Sequence, residues 1–350
     1  MNTSVGIEVR TEFSVPWIQQ AVRVMKGLPY VEIEYNIGPV PIEDGRGKEI
    51  VTKFLTSIDS SGTFFTDSNG REFLKRKRDY RPSWNLTVHE PVAGNYYPVN
   101  AAIYIEDNTT SFAVLTDRTQ AGCSLSDGTV ELMAQRRILA DDNRGVAEPM
   151  NETNGGVTAY PPYGNATRWG EGVVIRGIYR IMVGPGNSGA SIARSEMDHA
   201  FAPPLVFVAS SRRLNNSASV RESLSLLEKA LPANVMLITF QRLGSVDSNE
   251  YLVRLGHQYG FNDDTALSKP VDVDLATSFV GLKVLSVEEL TLTGNQKLSD
   301  WLHSRLDWVN SSNPTQSSKA AASTNTTITL HPMEVRTFKI AFGNQILSDY

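Results

Sequence analysis

Cysteine is nearly missing from this chain. Cys123 stands alone among 350 residues, so no disulfide can form within it. No apolar run approaches the roughly 20 residues that a membrane helix needs. The N-terminus, Met-Asn-Thr-Ser-Val-Gly, has no basic segment followed by an apolar one, so no secretory leader is visible. Neither sign of charge dominates. Lys and Arg number 33 against 38 Asp and Glu, and a net charge of −5 gives no global attraction to nucleic acid or to an anionic membrane. The five histidines (His89, His199, His257, His303 and His331) show no zinc-ligand spacing. There is no Gly-x-Ser-x-Gly nucleophile elbow and no phosphate-binding Gly-x-x-x-x-Gly-Lys loop. These absences argue against a zinc site made by this chain alone, a serine hydrolase of the elbow type and a P-loop nucleotide enzyme.

What is present describes a globular protein. Hydrophobic residues make up 41% and charged residues 20%, enough apolar content for two or three domains of ~150 residues each. Period-2 alternation dominates. Val31, Ile33, Tyr35 and Ile37 share one face of a strand, as do Val271, Val273 and Leu275, and Phe338, Ile340 and Phe342. Val173–Ile175, Leu205–Val208 and Val235–Ile238 are apolar on both faces and are expected as interior strands. Turn signals fall between them at short intervals, including Ser68-Asn69-Gly70, which suits a hairpin, and Asp127-Gly128. Many short strands with such punctuation favour a sandwich or barrel. Helix is scarce: Arg221–Leu231 and Asn295–Leu306 carry leucine stripes at helical spacing and are expected as short covering helices or turns. Gly184–Gly189 is expected to be a hairpin connection, with no helix after it. The Ser-, Thr- and Asn-rich stretch 310–327 is expected to be an exposed loop.

Eight Asn-x-Ser/Thr acceptor sequences occur, at Asn2, Asn85, Asn108, Asn151, Asn165, Asn215, Asn310 and Asn325, where chance gives roughly four. They point to glycosylation in a secretory lumen. The basic run Arg71–Arg81 is interrupted by Phe73, Leu74, Asp79 and Tyr80 and reads as a solvated strand rather than a nucleic-acid patch. The most informative segment is Glu131–Glu148. A strand runs into a loop holding Asp141, Asp142, Asn143, Arg144 and Gly145. Adjacent carboxylates repel and need cations or donors nearby, which Arg136, Arg137 and Arg144 can supply. Two readings stand side by side. One is a salt-bridged structural turn. The other is a rigid loop that holds an arginine out to grip a polar ligand through its fixed fork of donors.

Several ordered runs carry a family resemblance: Phe65–Glu72, Arg78–Trp84, Glu90–Asn100, Leu115–Arg118, Glu131–Met133, Arg136-Arg137 with Asp141–Val146, and Leu255–Gln258. Together they resemble the C-terminal half of the lysosomal-type α-mannosidases of glycoside hydrolase family 38, from about residue 22 to the end. The resemblance implies a mainly β fold: a large antiparallel β-sandwich of the super-sandwich type over 1–232, then a smaller C-terminal β-domain over 233–350. It implies a retaining α-mannosidase that removes terminal mannose from N-linked glycans. Its zinc, nucleophile and acid/base would lie outside this chain, in an N-terminal catalytic barrel followed by a helical bundle, the expected partners. No membrane or nucleic-acid partner is expected. Carried over residue by residue, it makes Arg144 the substrate-binding residue, with Asp141, Asp142, Gly145, Arg136 and Arg137 supporting its loop. It also implies a lysosomal or vacuolar lumen, or secretion.

A retaining glycosidase needs two carboxyl groups about 5–5.5 Å apart across the scissile bond, which adjacent Asp141 and Asp142 cannot provide from opposite sides of a sugar. The isolated chain is therefore expected to be inactive. A stand-alone carbohydrate-binding β-sandwich is the alternative, with Trp84, Tyr96, Tyr97, Tyr160, Tyr163 and Trp169 as candidate stacking surfaces.

Overall fold

Alternation along Val31–Ile37 becomes a strand whose Ile33, Tyr35 and Ile37 are buried. The computed structural model describes residues 3–141, 149–155, 170–208, 223–306 and 326–343. It divides into two compact units, Met1–Pro204 and Leu205–Tyr350.

The first unit holds β1 (Gly6–Glu12), β2 (Ile18–Met25), β3 (Val31–Ile37), β4 (Lys48–Leu55), β5 (Thr63–Asp67) and β6 (Phe73–Lys77). There follow β7 (Tyr97–Val99), β8 (Ala102–Glu106), β9 (Thr110–Thr116), β10 (Gln120–Cys123), β11 (Thr129–Arg137), β12 (Ile175–Pro185) and helix α1 (Gly189–Phe201). Eight strands form one sheet in the order β1-β2-β3-β12-β9-β8-β5-β6, and four form a second in the order β4-β11-β10-β7. Every pairing is antiparallel. The main core draws on both sheets: Ile33 and Tyr35 from β3, Ile103 and Ile105 from β8, Val130 and Leu132 from β11. Each such side chain contributes about 1.5–3 kcal/mol by leaving water. A polar bolt crosses this core. Tyr179 Oη donates to Gln120 Oε1 at 2.8 Å, and Gln120 Nε2 donates to Tyr35 Oη at 2.8 Å, so the buried amide is satisfied at both ends.

Helix α1 covers the other face of the large sheet. Ala190, Ala193 and Met197 meet Ala102, Tyr104, Ala113, Leu115 and Met182. Strands β8 and β9 are thus buried on both faces. The helix approaches so closely that a Cβ at Gly189 would strike the Tyr104 ring.

The second unit is a four-stranded antiparallel sheet, β13 (Val235–Arg242), β14 (Glu250–His257), β18 (Val335–Phe342) and β16 (Val284–Leu290), in that order. A two-stranded ladder joins β15 (Val271–Asp274) to β17 (Thr327–Leu330). The core collects Val253, Leu255, Val273, Leu275, Phe338 and Phe342. A short helix, α2, spans Leu298–Ser304 within the expected 295–306 stripe.

Four expectations are corrected. Leu205–Val208 is no strand: it lies outside any element, with exposures of 81–94%. Pro203 and Pro204 before it offer no backbone donors, and an apolar run does not by itself supply a partner edge. Val173 and Val174 precede β12 and are exposed. The described part of 221–231 is extended, not helical. Leu227 bridges Phe279, Glu228 N donates to Ser278 O, and Ser225 Oγ donates to Leu227 O, so local and cross-chain bonds replace helical ones. Finally, the glycine-rich connection does lead into a helix, α1. Its buried residues are Gly189, Ala190, Ala193, Arg194, Glu196 and Met197, so Met197 is the one large apolar side chain among them and the hydrophobic stripe is weak. Residues 310–325 of the expected polar loop lie outside the described residues.

Candidate functional site: the foot of the Asp141–Gly145 loop

Strand β11 pairs with β4 from Thr129↔Leu55 to Arg137↔Lys48, with a bulge between Met133 and Gln135. A bulge re-aims the side chains that follow it. Arg136 reaches Glu49 at 2.6 Å, and both are substantially exposed. Such a surface pair contributes about 0–1 kcal/mol. Arg137 is only 8% exposed. Its Nε donates to Asn151 Oδ1 at 2.8 Å and its Nη1 to Val40 O at 2.6 Å.

The next bond ties the backbone: Ile138 N donates to Met150 O at 3.0 Å. The chain entering the loop and the chain leaving it are therefore joined twice, once by main chain and once by a buried guanidinium. A third segment clamps this stem. Gln135 Nε2 donates to Val173 O at 2.9 Å, Asn154 N donates to Glu171 O at 2.8 Å, and Thr153 bridges Gly172. A Cβ at Gly172 would collide with the Arg137 guanidinium, so the absence of a side chain there lets the cation lie flat against the backbone.

The structure places Arg136, Arg137 and half-buried Asp141 at this stem. Asp142, Arg144 and Gly145 lie outside the described residues. Asn151, read from sequence only as a glycan acceptor, is also the partner of Arg137; no spacing rule flags that role. Of the other acceptor sites, Asn85 and Asn108 are exposed, while Asn165, Asn215, Asn310 and Asn325 lie outside the described residues, as does Asn2. Among the stacking candidates, Trp84 is 58% exposed, and Tyr97 packs beneath the Arg76 and Arg81 guanidinium groups at 4.3 and 5.2 Å. Tyr160, Tyr163 and Trp169 lie outside the described residues.

Further up β11, the Tyr96 hydroxyl donates to the Glu131 carboxylate beside Cys123, with Lys53 4.0 Å from the same carboxylate. Burial, and then the neighbouring carboxylate, raise the Tyr96 hydroxyl far above the ordinary tyrosine range. Burial pushes the Cys123 thiol up to about 12. A thiol so placed is neither nucleophile nor ready metal ligand. Iodoacetamide at pH 8 is expected to leave Cys123 unmodified in the native chain and to label it fully in denaturant. Labelling at the rate of a free thiol without unfolding would contradict that environment, and intact-mass measurement distinguishes the two.

Among the described residues no group of three or more His, Cys, Asp or Glu side chains could hold a metal ion. His257 is committed to the second core: Nδ1 accepts from Tyr259 N at 3.2 Å, which leaves Nε2–H to donate to Lys269 O at 2.9 Å. The described donors therefore do not fit a zinc centre.

Fold and stem together define an antiparallel β-sandwich chain with a buried arginine, Arg137, bracing the stem between Ile138 and Met150. Two family models match it: the glycosyl hydrolases family 38 C-terminal domain over residues 2–144, and the glycosyl hydrolases family 38 C-terminal beta sandwich domain over 234–338. The chain belongs to glycoside hydrolase family 38, as its C-terminal region. It is 39% identical to the lysosomal alpha-mannosidase of Bos taurus over 335 residues, covering 95% of this chain and 31% of the relative. An alpha-mannosidase of Arabidopsis thaliana is 38% identical over 344 residues, 97% of this chain and 32% of the relative. The chain thus spans about a third of the length of these relatives. The crystal structure of an alpha-mannosidase from Enterococcus faecalis shares the fold, with a TM-score of 0.54 at 13% identity over 92% of this chain and 28% of that one.

Proposed function

We propose that this chain is the β-sandwich half of a retaining, zinc-dependent α-mannosidase that removes terminal α-mannose from N-linked glycans in a lysosomal or vacuolar lumen. The extended similarity to lysosomal alpha-mannosidases carries the reading. Zinc and the catalytic carboxylates belong to the barrel region of the enzyme, not to the residues present here. The contribution of this chain is positional. The Arg137–Asn151 and Ile138–Met150 bonds tie the two ends of the 139–149 segment, and Arg144 within that segment is assigned to donate to sugar hydroxyls. A fork of donors held by a braced loop loses little entropy when substrate arrives. Asn85 and Asn108, both exposed, are the described acceptor sites best placed to carry glycans in such a lumen.

The test is complementation. The full 350-residue chain is assayed alone on p-nitrophenyl α-mannoside, then joined to the N-terminal region of the bovine relative. No turnover alone and turnover when joined is the expected result. Hydrolysis by the chain alone, or an N-terminal region that is equally active without it, overturns the proposal.

A further inference from the structure

We propose that a cleft between α1 and the loops at one end of the eight-stranded sheet is a binding site for a single neutral hexopyranose unit, sharing no lining residue with the Arg137–Asn151 stem. The cleft measures about 490 Å³. That volume falls within the roughly 300–1,000 Å³ of small-ligand sites. Three connections and one helix end build it: Asn69 from the β5–β6 loop, Asn100 from the β7–β8 corner, Thr119 ahead of β10, and Met197, Asp198 and Phe201 from α1.

The walls are held rigidly by one buried carboxylate. Asp67 is fully buried. Its Oδ2 accepts from Gly70 N at 2.7 Å, and its Oδ1 accepts from Ala101 N at 2.8 Å and Ala102 N at 2.9 Å. Asp67 thereby locks the β5–β6 loop to the β7–β8 corner, and the cleft is preformed.

Into this space the chain turns unspent polar groups. Asn69 Oδ1 accepts from Arg71 N and Glu72 N, both at 3.0 Å, which fixes the amide and leaves its Nδ2 to donate elsewhere. Asn100 Oδ1 accepts from Thr119 Oγ1 at 3.2 Å, which again leaves the Nδ2 end free to donate. The Asp198 main-chain carbonyl accepts from Ala202 N at 2.9 Å, while its side-chain carboxylate accepts no hydrogen bond among the described residues. Burial raises its carboxyl above the ordinary aspartate value, opposed by the charges of Arg71, Arg194 and His199. A partly desolvated carboxylate gains when hydroxyl donors reach it.

The set selects its ligand by chemistry. Each sugar hydroxyl both donates and accepts, so a carboxylate beside two amide NH₂ groups complements a vicinal pair. Phe201, 53% exposed at the rim, offers an aromatic face to the C–H side of the ring. The positive charges near Asp198 balance it, so the cleft favours a neutral polyol over a phosphate or a cation. All of the cleft's walls lie within the first unit, so binding there needs no barrel.

Methyl α-mannopyranoside is titrated into the full 350-residue chain and followed by saturation-transfer NMR and calorimetry. Binding in the millimolar range is expected, of the order a single pyranose achieves in a shallow site. Asp198→Ala and Asn100→Ala are each expected to weaken it at least about tenfold, as loss of a buried polar partner does. Phe201→Ala, at an exposed position, is expected to weaken it about fivefold with no change in melting temperature. That variant keeps the test decisive if either polar variant fails to fold. Arg144→Ala is expected to leave binding unchanged. No detectable binding at about 20 mM sugar, binding that survives Asp198→Ala or Phe201→Ala, or binding lost in Arg144→Ala overturns the assignment.

Discussion

Gly128→Ala is expected to destabilise the first unit by about 4 kcal/mol, against about 1 kcal/mol for Gly45→Ala. Both glycines sit in the left-handed region, at φ +73° and +70°. An L side chain pays a similar conformational penalty at either, about 1 kcal/mol or somewhat more. Their surroundings differ. Nothing lies within 4 Å of a Cβ built on Gly45, whereas one on Gly128 would stand 2.5 Å from Thr56 O and 3.0 Å from Ile58 O. Those are main-chain atoms in the connection between β4 and β5, where the chain passes from one sheet to the other. They cannot give way cheaply. Thr56 N and Thr56 Oγ1 both donate to Gly128 O, at 2.8 and 2.9 Å, and Gly62 N donates to Asp127 Oδ1 at 2.7 Å. Moving the turn sacrifices several of these bonds at about 1 kcal/mol each. Gly128→Asn separates the two causes, because asparagine tolerates positive φ but still brings a Cβ. It should be nearly as damaging as alanine. Urea denaturation of the three variants measures the difference; equal losses for Gly45→Ala and Gly128→Ala would show that close approach plays no part.

That turn also marks where sequence legibility stops. Asp127-Gly128 is readable as a turn, because glycine after aspartate is a local signal. The reason glycine is required is a contact with residues some seventy positions earlier, which no local pattern encodes. Strands β3, β15 and β18 are legible for the same local reason: one buried face imposes alternation. Ser68-Asn69-Gly70 does close the β5–β6 hairpin, but through a five-residue loop with Gly70 alone at positive φ, since buried Asp67 organises it. Misreadings occur where hydrophobicity lacks a partner or a partner lacks hydrophobicity. Leu205–Val208 is strongly apolar yet exposed, while α1 docks through Ala190 and Ala193, small side chains chosen for closeness. At the candidate site the sequence names Arg136 and Arg137 together as expected loop supports and gives no sign of how differently they are placed. Adjacent in sequence, Arg136 lies at the surface and Arg137 is buried. The sugar cleft leaves no trace in the sequence, because its walls come from four separate segments.

In the joined enzyme, Arg144→Ala is expected to lower kcat/KM about 10²-fold, the loss typical of removing one positioned donor from a reacting sugar. A donor is worth that much only when its aim is fixed before substrate binds, and a misplacement of about 1 Å forfeits a comparable factor. Here the two feet of the loop are tied by the Ile138–Met150 main-chain bond and by Arg137, whose guanidinium spans Asn151 and Val40. Arg144→Lys keeps the charge but loses the planar fork, so it should recover only about tenfold of the loss. Arg136→Ala, which removes an exposed pair with Glu49, should leave the rate within about twofold. Arg137→Met should lower both activity and stability, by about 2–3 kcal/mol in the latter, because the carbonyl oxygens of Val40 and Asn151 lose a buried donor. The ordering separates aim from charge. If Arg144→Ala retains the parent kcat/KM while Arg137→Met loses it, the braced loop serves the sandwich alone and the guanidinium touches no sugar.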